Sequence, residues 1–464
     1  MNVNTTTTRT RCRRITALGL SVLLVAAGCG NRTDNAGDDN GLNSTAPSQT
    51  TTATAAGDDF GTLPVPCGPG DAKGATDKGV TDSTITIGVI SDKNAGAIRV
   101  PTAGIEPSMQ AFVKWCNGLG GINGRKLELK TYDAKLLNSL DATKQACDDQ
   151  PFALVGTGVV QDAPMAQPLV DCGLISVSAY TATYPMTASP LNVEPVPNLG
   201  NIYATGTAEY FAKKFPDAIK AGAVFSPTTA AAADQADRAV QARKELGYDF
   251  IYENHYPLIQ NDWKTQAQTM KNKGVQYVTM VDTVNAAIGM LQALDDANYR
   301  PEVIDLGQQY YDSTLASSGV ADGVFVQTNT QPFENPSPAI SEYVKILHQY
   351  DSKVAETSLG VQAFSAALLF ATIAKKLGSD LTRDALLADA KAETDWTGGG
   401  LHPPQDLSGK KTNTCTMILK VEKGKFVKVF PTNDSNDPTK SFECDPEAVT
   451  EVHGNWGAPP TTVQ

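Results

Sequence analysis

The chain has 464 residues, of which 41% are hydrophobic and 19% are charged, and its formal net charge is −12 at pH 7. This composition is typical of globular proteins rather than of disordered or fibrous chains, and the length is sufficient for two or more domains. The acidic balance argues against a nucleic-acid partner, which is normally bound by a basic patch. The apolar stretch that comes nearest to membrane-spanning length lies at the N-terminus, which excludes a polytopic membrane protein.

Residues 1–28 are predicted to be an export signal, because four arginines precede an apolar run, 15–27, that ends in small residues. The sequence VAAGC at 25–29 resembles a bacterial lipoprotein cleavage site, and the alternative is an ordinary secretory signal with an incidental cysteine. We expect Cys29 to be lipidated and residues 29–66, which are rich in small polar side chains, to form a flexible tether. The protein would then be extracytoplasmic and anchored to the bacterial cell membrane.

The negative net charge of the chain indicates that it contacts the membrane through the lipid anchor only. Without the four arginines of the signal, the chain has 34 of its 38 basic residues and all 50 acidic ones, a net charge of −16. Anionic headgroups would repel such a surface.

Six cysteines remain after Cys12 leaves with the signal and Cys29 takes the lipid. An even number of cysteines in an exported protein indicates three disulfides. The sequence contains no CxxC or CxxH pair, which argues against a metal site. We expect Cys147 to pair with Cys172, because each ends a helix just before one of two neighbouring parallel strands. By elimination, the remaining predicted pairs are Cys415 with Cys444 and Cys67 with Cys116.

From residue 84 the sequence alternates between short apolar runs and helical patterns, which predicts an α/β fold with doubly wound parallel sheets. The predicted strands are 85–90, 127–132, 152–156, 174–179, 221–226, 248–253, 275–281, 303–306 and 323–328. The aperiodic segment 191–201 divides them into two groups and reads as a crossover between two lobes. The apolar helix ending at Leu377 is expected to be buried against the first lobe, and residues 417–430 to form a β-hairpin.

Four segments carry a family resemblance: ITIGVISDKNAG, WCNGLGGINGRKLELKTYDAK, ACDDQPFALVGTG and GLISVSAYTATYP. In this order they resemble the type 1 periplasmic binding proteins, and more narrowly the branched-chain amino acid class of ABC-transporter solute-binding proteins. The resemblance implies two doubly wound lobes joined by extended crossover segments, a small-molecule solute between them, and a membrane permease as partner. We expect a monomer.

The predicted domain boundaries follow from this organisation. The N-terminal lobe comprises 67–194 and 328–403, the C-terminal lobe comprises 195–327 and 404–433, and 434–464 is a tail. We expect the tail after Val449 to be loosely ordered.

Ligands of open α/β sheets bind beyond the C-terminal ends of the strands, and this rule selects the candidate ligand-binding residues. They carry hydroxyls, amides, aromatic rings or a carboxylate: Thr157, Gln161, Tyr180, Thr181, Thr183, Asp282, Gln309 and Tyr310. The first five, which belong to the first lobe, are expected to provide most of the ligand contacts. Losing the Thr181 hydroxyl should weaken binding about ten- to a hundred-fold, because a hydrogen bond to a charged ligand contributes about 1.5–3 kcal/mol. Asp282 is the expected partner of an ammonium group. The family's acid normally lies one strand later, where this chain has Gln308 and Gln309, which puts an amino-acid ligand in question.

The sequence has neither GxSxG nor HExxH, and its SxxK match at 408–411 lies in a loop without SDN or KTG companions. We therefore expect no enzyme activity, no metal and no cofactor. Two alternatives to a transport role remain: a ligand-sensing lipoprotein of the same fold that signals to a receptor, and a secreted hydrolase.

Overall fold

The structure is a computed structural model that describes residues 59–96, 98, 100–258 and 262–461. The predicted signal peptide, Cys29 and most of the predicted tether lie outside the described residues. The described chain contains two large sheets, each covered by helices, and two small two-stranded sheets. The predicted α/β fold with two parallel sheets is confirmed.

The first lobe has a five-stranded sheet in the order β4-β3-β5-β6-β7, with all neighbours parallel. Its strands, with the short hairpin that precedes them, are β1 (Asp59–Phe60), β2 (Leu63–Pro64), β3 (Thr84–Ser91), β4 (Lys126–Asp133), β5 (Ala153–Val155), β6 (Ser176–Val177) and β7 (Asn192–Val193). The helices between them are α1 (Ile105–Leu119), α2 (Ser139–Asp149), α3 (Ala166–Asp171) and α4 (Tyr184–Thr187). Strand β3 is buried on both faces, as a central parallel strand covered by helices must be.

The second lobe has a sheet in the order β10-β9-β11-β12-β13-β14-β15, which is parallel as far as β13 and antiparallel beyond it. Its elements up to β13 are β8 (Ile202–Ala204), α5 (Gly206–Lys214), β9 (Gly222–Pro227), α6 (Ala230–Glu245), β10 (Phe250–Tyr256), α7 (Trp263–Lys273), β11 (Tyr277–Met280), α8 (Val284–Asp296), β12 (Val303–Leu306), α9 (Ser313–Ala316) and β13 (Phe325–Thr328). The later strands are β14 (Cys415–Glu422), β15 (Lys425–Phe430), β16 (Glu443–Cys444) and β17 (Val449–Glu451). Strands β14 and β15 are the predicted hairpin.

Between β13 and β14 the chain returns to the first lobe and forms α10 (Pro338–Tyr350), α11 (Ser358–Leu377) and α12 (Arg383–Ala390). Helix α11 packs into the first-lobe core, as predicted from its apolar sequence. With the following turn, this helix is the one segment among the described residues that is long and apolar enough to cross a membrane. Its side chains are almost all buried inside the lobe, which is typical of the core helix of a globular protein.

Two predicted boundaries differ from the structure. The predicted tether ended at residue 66, yet Phe60 is fully buried and its ring stacks on Phe364 of α11 at 5.3 Å. Leu63 and Val65 pack against the same core, and the Thr62 backbone N–H donates to the Gly399 carbonyl at 2.8 Å, so this segment docks on the first lobe. The predicted loose order after Val449 is wrong, because β17 pairs antiparallel with β8.

Three disulfides link the predicted pairs of cysteines, with Cα–Cα separations of 5.2, 5.8 and 3.9 Å for Cys67–Cys116, Cys147–Cys172 and Cys415–Cys444. The Cys147–Cys172 bond joins the last turn of α2 to the end of α3. Both positions precede neighbouring strands of the sheet, which is the geometry that predicted the pair.

Candidate ligand-binding site

A cleft lies where the switch points of the two sheets face each other. In each sheet the strand order reverses beside the first strand, at β3 and β5 in the first lobe and at β9 and β11 in the second. Loops that leave such a point diverge and leave a crevice. The residues that line the cleft are Ile98, Val100, Pro101, Leu136, Val160, Gln161, Tyr180 and Leu359 of the first lobe and Pro227, Thr229, Ala231, Ala232, Gln235, Leu258, Val281, Asp282, Thr283, Gln308 and Gln309 of the second.

The lining is mainly apolar. The space between its walls is about 710 Å³, a figure that includes the part open to solvent. A second recess adjoins it and shares Val100, Pro101, Gln308, Gln309 and Leu359.

Local backbone geometry directs the loop after β5 into the cleft. The chain leaves β5 through Gly156, whose φ is +70° and where a Cβ would lie 2.3 Å from the Met109 sulfur. Only glycine fits this position without strain. The loop then brings Gln161 to the cleft, where its Nε2 is buried and has no hydrogen-bond partner among the described residues. A buried amide without a partner is costly, so this donor is available to an acceptor on a ligand.

Tyr180 and Gln235 meet across the cleft. Gln235, on the second turn of α6, donates from Nε2 to the Tyr180 hydroxyl at 3.1 Å. Burial raises the pKa of Tyr180 to about 12, so its hydroxyl stays protonated at neutral pH. The sequence predictions included Tyr180 but missed Gln235.

Asp282 presents a partly satisfied carboxylate to the cleft. Its Oδ2 accepts from the Tyr256 hydroxyl at 2.5 Å, and its Oδ1 accepts from the backbone N–H of Thr283 at 2.6 Å. Burial raises the pKa of Asp282, and the hydrogen bonds from Tyr256 and Thr283 oppose that shift.

A glutamine pair follows β12. Gln309 lines the cleft, as does Gln308, whose Oε1 accepts from Gln362 Nε2 at 2.9 Å. Because Gln362 belongs to α11, this hydrogen bond joins the two lobes.

Two of the predicted ligand residues are instead buried beneath the cleft surface. The Thr157 hydroxyl accepts from the Ile90 backbone N–H at 3.1 Å, which replaces a bond of the sheet ladder. The Tyr310 hydroxyl accepts from the backbone N–H of Asp282 at 2.7 Å. These two side chains position β3 and Asp282 and do not line the cleft.

Thr181 and Thr183 also face inward, because two buried acids need their hydroxyls. Thr183 donates to Asp162 Oδ1 at 2.5 Å, and Thr181 donates to Glu194 Oε1. Burial raises the pKa of Asp162 to about 7 and that of Glu194 to about 8. The predicted direct roles of these threonines assumed side chains that point to the crevice, and no local sequence pattern indicates that the two acids turn inward.

A polar chamber adjoins the cleft and shares Tyr180, Gln235, Val281, Gln308 and Gln309 with it. Its remaining wall consists of Asn198, Leu199, Gly200, Ile202, Tyr203, Arg238, Ala239, Arg243, Thr279, Met280, Asp305, Gly307, Gln327 and Val452. Arg243 forms an ion pair with Asp305 at 2.9 Å. Arg238, by contrast, donates only to backbone carbonyls, at 2.9 Å to Gly200, 2.8 Å to Ala182 and 3.2 Å to Asp234.

The described residues offer little that is suited to catalysis or metal binding. No cluster of His, Cys, Asp and Glu could hold a metal ion there. Two serine–histidine pairs occur among the described residues, with Ser226 Oγ 2.7 Å from His255 Nδ1 and Ser365 Oγ 2.8 Å from His402 Nε2. Both serines are fully buried, and neither lines the cleft. A nucleophile without access to substrate cannot react.

The comparisons with known proteins agree with this architecture. The model of the family described as periplasmic binding protein matches residues 84–425, so the chain belongs to that family and the predicted resemblance is confirmed. A relative described as Leu/Ile/Val-binding protein homolog 8, from Brucella abortus, is 24% identical over 70% of this chain and 85% of its own length.

Two solved structures show the same fold. One is a fatty acid ABC transporter substrate-binding protein from Thermomonospora curvata, with a TM-score of 0.65, 16% identity, and coverage of 82% of this chain and 98% of that protein. The other is a branched-chain amino acid transporter substrate binding protein from Streptococcus pneumoniae in complex with isoleucine, with a TM-score of 0.60, 14% identity, and coverage of 75% and 100%.

Proposed function

We propose that this protein is the extracytoplasmic solute-binding component of an ABC-type importer, anchored to the membrane by a lipid on Cys29. It captures one small organic molecule between its lobes and delivers it to the permease. The observation that carries the proposal is the cleft at the facing switch points, which has an apolar lining and a few aimed polar groups. The family membership and the solute-binding roles of the similar proteins support it.

The proposed mechanism is hinge closure. Hydrogen bonds between Gln235 and Tyr180 and between Gln362 and Gln308 cross the cleft and would hold the lobes together over a bound solute. One chain supplies both walls of the cleft, so a monomer is sufficient. Unlike a hydrolase, such a protein needs no nucleophile and releases its solute unchanged.

Native mass spectrometry of the purified protein tests the proposal, because a bound solute adds a discrete mass, and small-angle scattering reports closure as a smaller radius of gyration. Ala232→Trp should fill the cleft and abolish both signals. Ala230→Trp, at the exposed start of the same helix, is the matched control and should retain them. Failure of every candidate solute to close the lobes, or solute binding by Ala232→Trp at the parental affinity, would contradict the proposal.

The anchor has its own test in a bacterium that processes lipoproteins. Replacing Cys29 by Ala should move the protein from the membrane fraction to the soluble fraction, because the acyl chains supply the membrane affinity. A Cys29→Ala variant that remains in the membrane as firmly as the parent would remove the lipoprotein interpretation.

A further inference from the structure

The charge balance of the polar chamber differs from that of the cleft. Arg238 is 5% exposed and lines the chamber, and no carboxylate of the described residues forms an ion pair with it. Burial lowers the pKa of Arg238, but an arginine remains charged in proteins. The chamber therefore holds a positive charge whose hydrogen-bond partners are backbone carbonyls and that no carboxylate of the described residues contacts directly.

Neighbouring acids do not form an ion pair with Arg238. Asp234, one turn earlier on α6, interacts electrostatically with the Arg238 charge, but its carboxylate is partly exposed to solvent. Asp305 already accepts hydrogen bonds from Arg243 at 2.9 Å and from Tyr277 at 2.5 Å. Asp162 is held by Thr183 and Ala182, and its pKa of about 7 leaves it partly protonated at neutral pH. A buried charge without a counter-ion is costly, so an anion that enters the chamber relieves that cost.

Arg125 and Arg383 show that carbonyl-bound arginines also serve as structural braces in this chain. Arg125 donates to Gly378 and Gly74, and Arg383 donates to three backbone carbonyls. Neither residue lines the cleft or the chamber, whereas Arg238 lines the chamber. The distinguishing feature of Arg238 is its position beside a space that adjoins an apolar cleft.

We infer that the solute is an amphiphilic monoanion, a carboxylic acid with an apolar body, whose head group lies in the chamber beside Arg238 and whose body lies in the cleft. The inference rests on the proposed function. The apolar body would contact Val160 and Leu359 of the first lobe and Ala232 and Leu258 of the second. The free Nε2 of Gln161 suits a further acceptor on the solute.

The same geometry disfavours an α-amino acid. An α-ammonium is two bonds from the carboxylate carbon, so with the head group beside Arg238 it would also lie in the chamber. Among the described residues, the acid that lines the chamber is Asp305, and it already forms an ion pair with Arg243. Asp282 lines the cleft and not the chamber. The ammonium would be desolvated without a charged partner.

Titration calorimetry with three probes tests the inference on ligand-free protein: octanoate, its neutral analogue octanamide, and leucine. The parent should bind octanoate at least about ten-fold more tightly than octanamide, and leucine more weakly than octanoate, because a hydrogen bond to a charged group contributes about 1.5–3 kcal/mol. Arg238→Gln should weaken octanoate about ten- to a hundred-fold and leave octanamide within about three-fold.

Arg300→Gln is the control, because Arg300 also lies in the second lobe and donates to the backbone carbonyls of Val320 and Asp322, away from the cleft. Unlike Arg238, it also forms an ion pair, with Asp295 at 3.1 Å. The Arg300→Gln variant should bind all three probes as the parent does. If Arg238→Gln does not fold, Arg238→Lys retains the charge and should retain the preference for octanoate. The ratio of the parent's affinity for octanoate to its affinity for octanamide tests the inference without any variant.

Three results would overturn the inference: equal affinity of the parent for octanoate and octanamide, tighter binding of leucine, or no octanoate binding at about 1 mM. An equal loss of both octanoate and octanamide in Arg238→Gln would show a brace rather than a head-group site. If another solute without a carboxylate closes the lobes, the proposed function stands and the inference fails. If no solute closes them, the proposed function fails.

Discussion

At the scale of single residues, the buried acids Asp162 and Glu194 decide what the threonines of the first lobe do. Each carboxylate is buried and accepts a threonine hydroxyl, and Asp162 also accepts from the Ala182 backbone N–H at 2.6 Å. A buried acceptor that loses its donor keeps its full desolvation cost. These threonines therefore stabilise the loops that form the cleft wall without contacting the space inside it.

We predict that Thr181→Val lowers the free energy of unfolding by about 1–3 kcal/mol, because Glu194 loses a hydrogen bond in a buried site. Solute affinity should change by less than about three-fold. Urea unfolding and calorimetry with an identified solute measure the two effects. Thr269→Val, on the surface of α7, is the control and should cost no more than about 0.5 kcal/mol. A ten-fold loss of solute affinity in folded Thr181→Val would show instead that the Thr181 hydroxyl contacts the solute.

The two acids also predict a pH dependence of stability. Burial raises the pKa of each above its unfolded value, so the folded state binds more protons than the unfolded state between about pH 4 and pH 7–8. Stability contributed by the protonated groups is present at the acid end of this window and is lost as pH rises through the folded pKa. The maximum slope is about 1.4 kcal/mol per pH unit for each proton.

Asp162→Asn and Glu194→Gln should each reduce the loss of stability between pH 5 and pH 8, as measured by urea unfolding at both values. Glu253→Gln removes a more exposed acid on the second lobe and should leave the difference unchanged. A parental pH profile in both buried-acid variants would show that these carboxyls are ionised throughout the window.

At the scale of elements, the C-terminal segment is an integral part of the fold. Strand β17 pairs with β8, the backbone N–H of His453 is bonded to Gln241 of α6, and Gln167 of α3 exchanges hydrogen bonds with Thr461 at 3.0 Å. The segment therefore contacts elements of both lobes. Its sequence has no long apolar run, and its order depends on partners about 200 residues or more away in the chain.

Truncation after Asp445 should lower the free energy of unfolding by about 1–3 kcal/mol, because a few net hydrogen bonds of about 0.5–1.5 kcal/mol each are lost and some chain entropy is regained. The Cys415–Cys444 disulfide is retained in this variant. Differential scanning calorimetry measures the change. Truncation after Thr461 removes only residues beyond these contacts and should melt as the parent does. Equal melting of both truncated forms would show that β17 contributes nothing to stability.

The contrast between elements that a local pattern determines and segments that distant partners order explains how much of the structure could be predicted from the sequence. Period and length predicted the parallel strands, the buried helix α11 and the β14–β15 hairpin, because each pattern is local and each element buries its own apolar face. The loops that line the cleft followed from the strand-end rule, and Gln161, Tyr180, Asp282 and Gln309 lie there. Which side chain of a loop points inward depends on distant partners, such as Glu194 for Thr181, and local pattern does not encode that.

At the scale of the whole molecule, the hydrogen bonds between the lobes set the balance between open and closed states. The observed arrangement joins Gln362 of α11 to Gln308 at 2.9 Å, and Gln362 is 2% exposed. A solute that binds the closed state has an apparent affinity proportional to the closed fraction of the ligand-accessible ensemble. Weakening a bond that exists only in the closed state should therefore weaken binding without any change at the solute.

We predict that Gln362→Leu weakens solute binding about three- to ten-fold, since one net hydrogen bond contributes about 0.5–1.5 kcal/mol. The effect should appear mainly as faster dissociation in stopped-flow measurements, because the bond forms after the solute has entered. Gln268→Leu, on the exposed face of α7, is the matched control and should leave both rates unchanged. If Gln362→Leu remains folded and releases solute at the parental rate, this contact does not hold the lobes closed, and closure must depend on the solute and on the Gln235–Tyr180 contact instead.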